Sequence, residues 1–124
     1  MRVKKLLKAK GSQVYTVSPD ATVYDALAVM AEKEIGALVV VENDKMVGIF
    51  SERDYARKVI LKGKNSQETR VKEIMTTNVM HATPDQKIGK CLSMMTSNHF
   101  RHLPILEGER LVGIISIEDV RRMG

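Results

Sequence analysis

Apolar residues recur along this chain in two alternating rhythms. Val23, Ala26, Leu27 and Met30 fall at i, i+3, i+4 and i+7, and so do Ile88, Cys91, Leu92 and Met95. That spacing lines one face of a helix. After each helix comes an unbroken apolar run, ALVVV (37–41) or HLPIL (102–106), long enough for a buried strand and too short for a helix. Polar turn residues follow, ENDK or EGER, and then a second strand, MVGIF or LVGII. Each series opens on a short extended piece, VYTVSPD or VMHATPD, whose proline keeps the residue before it out of helical geometry. Each closes on a second helix that starts at Ser51 or Ser116. The predicted order is β-α-β-β-α, twice.

The two series are one unit repeated. Residues 14–59 align with 79–124 without a gap at an offset of 65 (119 − 54 = 65; 84 − 19 = 65). Both copies carry V-G-I-x-S-x-x-D-x-x-R, from Val47 to Arg57 and from Val112 to Arg122. Two copies of one unit suggest a pseudo-twofold pair sharing a core. The expected divisions are a basic N-terminal segment (1–13), a first repeat (14–63), a linker (64–74) and a second repeat (75–124). The polar stretch Lys62 to Arg70 reads as the linker and VKEIM as a short turn into the second copy. The first copy's closing helix should run to Gly63, and the second copy's stops at Gly124, which suggests a naturally short or trimmed chain.

The repeated phrase has a structural reading. Serine is a preferred helix N-cap, and an acidic residue three places on completes a capping box, which both copies provide. Thr22 with Asp25 has the same form at the first copy's opening helix. Capping leaves two features over. Gly48 and Gly113 lie inside strands, where glycine marks a bulge or the close approach of a backbone or a ligand. Arg53 sits in a first helical turn, against the macrodipole, a cost that a docked anion would offset. Free N–H groups at a helix start suit phosphate. A carboxylate one turn inside can accept both hydrogens of a vicinal diol. Together these describe a ribonucleotide site.

The arrangement resembles the CBS domain, named after cystathionine β-synthase, in the tandem form called a Bateman module. The resemblance runs from Val14 over nearly the whole chain. It is most specific in the G-h-x-S-x-x-D phrase, and IGALVVV, FSERDYARKV and RHLPIL look like the stand-alone two-repeat CBS proteins of bacteria, mitochondria and plants. It implies an α/β (α+β) fold of two repeats packed with pseudo-twofold symmetry, commonly paired as a homodimer. It also implies roles: Asp54 and Asp119 hold ribose, Ser51, Arg53 and Ser116 face phosphate, and Val17, Ser18, Ala82 and Thr83 flank the base. The copies differ, because Glu118 stands where the first has Arg53, and Arg101 and His102 stand where it has Gly36 and Ala37. Basic residues at that strand entry can reach a phosphate in CBS modules. One charged site built from Asp54, Ser51, Arg53 and Arg101 or His102 is therefore expected, with Asp54 mattering more than Asp119.

Composition narrows the function. Net charge is +5, and five cations (Arg2, Lys4, Lys5, Lys8, Lys10) fall in the first eleven residues, so the remainder is close to neutral and no DNA-binding face is indicated. Val3, Leu6 and Leu7 at helical spacing among those lysines read as a helix packed on the module or on a dimer partner rather than on a membrane. The segment matches no part of the phrase and should be dispensable for ligand binding. No apolar run approaches the roughly 20 residues that cross a bilayer. A single cysteine, Cys91, excludes an internal disulfide framework and suits the cytoplasm. It aligns with Ala26 on the apolar helix face and reads as core. His81, His99 and His102 fit no zinc spacing, and no metal is expected. No nucleophile–base set, Walker loop or G-x-G-x-x-G is present, so no catalytic residue is assigned and no enzyme is expected. The expected function is a regulatory sensor of adenosine nucleotides, AMP first, then ATP, ADP or NAD(H), acting on a separate partner protein. The alternatives are a structural or partner-regulating protein without a nucleotide, such as a regulator of a redox enzyme, and a nucleic-acid binder using the N-terminal lysines.

Overall fold

Hydrophobic periodicity is realised nearly element for element. The computed structural model describes residues 1–123. It contains α1 (Val3–Lys10), β1 (Thr16–Val17), α2 (Val23–Lys33), β2 (Ala37–Glu42), β3 (Lys45–Ser51) and α3 (Glu52–Tyr55), which runs on into a π-helical turn (Ala56–Ile60). Then follow α4 (Val71–Ile74), α5 (Ile88–Asn98), β4 (His102–Glu107), β5 (Arg110–Ser116) and α6 (Ile117–Met123). The expected helix stop at Gly124 lies outside the described residues. The protein is a mixed α/β chain built of two repeats.

The chain divides into two compact units that cut across the expected boundaries. One comprises Tyr15–Val79; the other joins Met1–Val14 to the residues from Met80 onward. Each unit therefore consists of one repeat and the segment that precedes the other repeat. In the Tyr15–Val79 unit, β1 pairs parallel with β2 and β2 antiparallel with β3. The core gathers Val23, Ala26 and Met30 of α2, Leu38, Val40 and Phe50 of the sheet, and Val71 and Ile74 of α4. The polar stretch before α4 is ordered rather than a free linker. Carbonyls of Ser66 and Thr69 accept from the Tyr24 and Val23 N–H groups, satisfying the first turn of α2.

The second unit repeats this plan with one loss. β4 and β5 pair antiparallel, but the counterpart of β1 shrinks to a single parallel bridge between Ala82 and Ile105. The reason is Pro104, which occupies the place of Val39. The preceding rung of a parallel ladder would need an N–H at that position, and proline has none. The core here includes Ile88, Cys91 and Met95 of α5 with Leu103, Ile105 and Ile115 of the sheet. Val3, Leu6 and Leu7 of α1 complete it. The N–H groups of Val3 and Lys4 donate to the carbonyls of Gln86 (2.8 Å) and Pro84 (2.9 Å), so the start of α1 is tied to the loop before α5. Cys91 is a buried core residue as expected, and burial pushes its thiol pKa up.

Both phrase glycines sit beside a β-bulge. Val40 opposes Gly48 while Val41 opposes Met46, and Ile105 opposes Gly113 while Leu106 opposes Leu111. Both also face a close approach, and the approaching atoms belong to the chain itself. A Cβ on Gly48 would lie 2.7 Å from Met75 Sδ and 2.9 Å from the Thr76 carbonyl oxygen. A Cβ on Gly113 would lie 2.8 Å from the Leu7 methyls. The glycines admit the segment preceding the other repeat, which accounts for them without a ligand. Gly48→Ala should cost about 1–3 kcal/mol, as overpacking does, because a backbone oxygen blocks the space. Gly113→Ala should cost less, since only the tip of a flexible side chain must move. Urea titration of both variants checks the order, and equal losses would refute this asymmetry.

Candidate functional site

The site begins where each hairpin ends. Ser51 closes β3 in extended geometry and caps α3. Its Oγ accepts from Asp54 N–H at 3.2 Å, and Asp54 Oδ2 accepts from Ser51 N–H at 3.0 Å. Ser51 Oγ also lies 3.1 Å from Asp54 Oδ2. Oδ1 accepts from Thr76 Oγ at 3.0 Å and from Lys58 Nζ at 3.1 Å. Asp54 is thus buried with both oxygens engaged. Lys58 lies one turn along the same helix and also donates to the Ile74 carbonyl. Arg53 is exposed on α3. Val17 is half-buried against the core, and Ser18 is exposed, its Oγ accepting from Asp20 N–H.

The second copy has the same box and a different neighbour. Ser116 N–H donates to Asp119 Oδ2 at 2.8 Å, and Asp119 N–H donates to Ser116 Oγ at 3.1 Å. The cation is Lys10, from the end of α1. Its Nζ stands 3.0 Å from Asp119 Oδ2 and 2.7 Å from the Ile114 carbonyl oxygen. Arg101 pairs with Glu118, the residue that replaces the first copy's arginine. Ala82 is fully buried, and its N–H and carbonyl bond Pro104 and Leu106, whereas Thr83 is exposed. Asp54, Ser51, Arg53, Val17 and Ser18 belong to one unit, and Asp119, Ser116, Arg101, His102, Ala82 and Thr83 to the other.

Beside the second capping box, Asp119 and His102 are both held low. Burial pushes the Asp119 carboxyl up, but hydrogen bonds from Lys10 and Ser116 and the Lys10 charge together outweigh it and hold it below the usual carboxylate range. His102 is held below the usual imidazole range by burial first, then by the Arg101 charge, with Lys10 adding to this and Asp119 opposing. A group whose folded pKa is depressed contributes stability that is present above its unfolded pKa and lost as pH falls through the folded one. Stability should therefore decline on acidification, first below about pH 6.5 as His102 is forced to charge and again below about pH 4 at Asp119. His102→Gln should flatten the upper step in thermal unfolding followed against pH. An unchanged step would assign it to another group.

Sequence reasoning placed both serines and both carboxylates, and it missed Lys58, Thr76 and Lys10. Lys58 was legible as the i+4 partner of Asp54. Thr76 and Lys10 carry no local signal. Among the described residues no helix is long and apolar enough to cross a membrane, and no group of three or more His, Cys, Asp or Glu could hold a metal ion.

The doubled capping box under a doubled glycine hairpin matches a known family. The CBS domain model fits residues 9–61 and again 71–123. The chain belongs to the CBS-domain family. It is 40% identical over 119 residues to the mitochondrial CBS domain-containing protein CBSX3 of Arabidopsis thaliana, of which it spans 57%. It is 33% identical to the CBS domain-containing protein YhcV of Bacillus subtilis, covering 88% of this chain and 77% of that protein. It also matches 23% of the length of an inosine-5′-monophosphate dehydrogenase from Methanocaldococcus jannaschii, at 39% identity. Among solved structures, a CBS-domain protein from Burkholderia ambifaria superposes with a TM-score of 0.96 at 48% identity, covering 99% of this chain and 93% of that one. A CBS domain pair in complex with 5′-methylthioadenosine and S-adenosyl-L-methionine superposes with a TM-score of 0.89 at 26% identity, covering 99% and 94%.

Proposed function

We propose that this CBS pair is a non-enzymatic, cytoplasmic regulatory module that binds an adenosine nucleotide and passes the signal to a separate protein. The observation that supports it is the twin capping box. Each places a carboxylate, a serine hydroxyl and the start of a helix within one turn, the acceptors and donors that a ribose diol and a phosphate require. A related CBS pair holds adenosine-containing ligands. AMP is the simplest ligand with both groups; ATP, ADP and NAD(H) share them.

The contacts favour the second copy over the first, against the order expected from Arg53 alone. Arg53 favours the first. Yet Asp54 is buried with both oxygens engaged, whereas the contacts of Asp119 among the described residues fall on Oδ2. Asp119 is the more available acceptor. Asp119→Ala should weaken AMP at least tenfold, about 1.4 kcal/mol, and more than Arg53→Ala does. Calorimetry on the two variants checks this; a greater loss with Arg53→Ala returns the main site to the first copy.

The decisive experiment is a thermal-shift screen of AMP, ADP, ATP, NAD(H) and adenosine, with mass spectrometry of whatever co-purifies. A ligand at a hundred times its Kd stabilises the fold by about 2.7 kcal/mol, a shift of several degrees. If none of these compounds raises the melting temperature, the second reading takes over. There the capping boxes, complete without a ligand, are purely structural, and the protein regulates a partner unaided. The dimer belongs to this reading as well. Tyr24, Ile60 and Leu61 are exposed on the Tyr15–Val79 unit, which also has an open groove lined by Leu27, Met30, Ala31 and Ile35 with Glu34 and Glu52. Sedimentation should give about twice the 13.9 kDa chain mass; a monomer at all concentrations would remove the dimer.

A further inference from the structure

Among the described residues each phrase carboxylate is paired with one lysine, and the two lysines come from different places. Asp54 takes Lys58 from its own helix. The residue aligned with Lys58 in the second copy is Met123, since 58 + 65 = 123, and the residue aligned with Arg53 is Glu118. The second copy's own helix therefore offers no cation at either position. Arg101 is paired with Glu118, and both side chains are about half exposed, which makes that pair a weakly held one. Lys10 fills the gap from the end of α1. Its side chain is 28% exposed, its ammonium bonds Asp119 Oδ2 and the Ile114 carbonyl, and Leu7 lies against Gly113 three residues before it. The buried Val3, Leu6 and Leu7 fix the helix that carries it.

We propose that Lys10 is a specificity-determining residue of the second copy's site, engaging the phosphate of a nucleoside monophosphate whose diol rests on Asp119. This rests on the nucleotide reading given above. An ammonium has three donors. Two are used in holding Asp119 and Ile114, and the third serves a ligand oxygen beside the Ser116 hydroxyl at the start of α6. The cation is pre-positioned by a packed helix, so little order is lost when the ligand arrives. In the first unit the lysine at Asp54 is Lys58 of its own helix, joined there by the Thr76 hydroxyl, so the two sites differ in where their cation comes from.

The test is an NMR titration of the full chain with AMP and with adenosine, followed at the Ser116 and Asp119 amides, which report the second copy alone. Lys10→Gln should weaken AMP at least tenfold and leave adenosine within threefold, and Lys10→Arg should restore the preference for AMP. Lys10→Gln keeps the apolar face of α1, and unfolding curves confirm that the fold survives. Equal losses for both ligands would make Lys10 a structural tie of Asp119 and overturn the proposal. Unchanged affinities would overturn it too. If wild-type protein binds neither compound, the nucleotide reading fails and takes this inference with it; if wild type binds and Lys10→Gln binds alike, only this inference fails.

Discussion

Replacing Leu6 by alanine is expected to destabilise the protein by about 2–5 kcal/mol, the range for truncating a buried leucine. Leu6 is fully buried in the core that holds Ile88, Met95, Leu103 and Ile115, although it lies more than eighty residues before them in the chain. Its loss opens a cavity at the place where α1 covers the second repeat. Lys5→Gln and Lys8→Gln, exposed on the same helix, should stay within about 0.5 kcal/mol of wild type. Denaturant unfolding of the three variants separates the two faces. The apolar face of the basic N-terminal segment is part of the core, so the segment bears on stability whatever its part in ligand binding. Removing residues 1–10 strips Val3, Leu6 and Leu7 from the core and Lys10 from Asp119, and should lower stability and second-copy binding together. A deletion that leaves the melting temperature unmoved would show that α1 contributes nothing to that unit.

Asp54→Ala is the second large effect, expected at about 3 kcal/mol. Hydrogen bonds to a charged group contribute about 1.5–3 kcal/mol, and the variant keeps the Ser51 cap bond, which is made to the backbone N–H of residue 54. Asp54 is 7% exposed and its carboxylate accepts from Ser51, Thr76 and Lys58, so its removal loosens the end of β3, the start of α3 and the segment after α4 at once. Asp54→Asn should recover part of this, because an amide oxygen can still accept from Ser51 N–H. A loss below 1 kcal/mol for Asp54→Ala would mean that these contacts hold little of the fold. Ligand affinity of the folded fraction, measured separately, then reports binding rather than stability.

What could be read from the sequence was local. The β-α-β-β-α order followed from spacings of two to four residues, and the repeat from an offset that never slips. The capping boxes joined residues three apart, so Ser51 with Asp54 and Ser116 with Asp119 were fixed by position alone. Pro104 in the place of Val39 was visible too, although its consequence, an opening strand reduced to one bridge, needed the ladder to be seen. What only the tertiary structure decided lay at long range. A strand glycine signals that something approaches closely, but not whose atoms arrive; Met75, Thr76 and Leu7 occupy space that a ligand could equally have filled. The N-terminal helix showed its apolar face in sequence without showing which core would bury it. It joins the second repeat because Gly113 leaves room for Leu7 there, and the fold brings Lys10 to a carboxylate 109 positions away, 119 − 10, a distance across which no pattern of periodicity or spacing carries information.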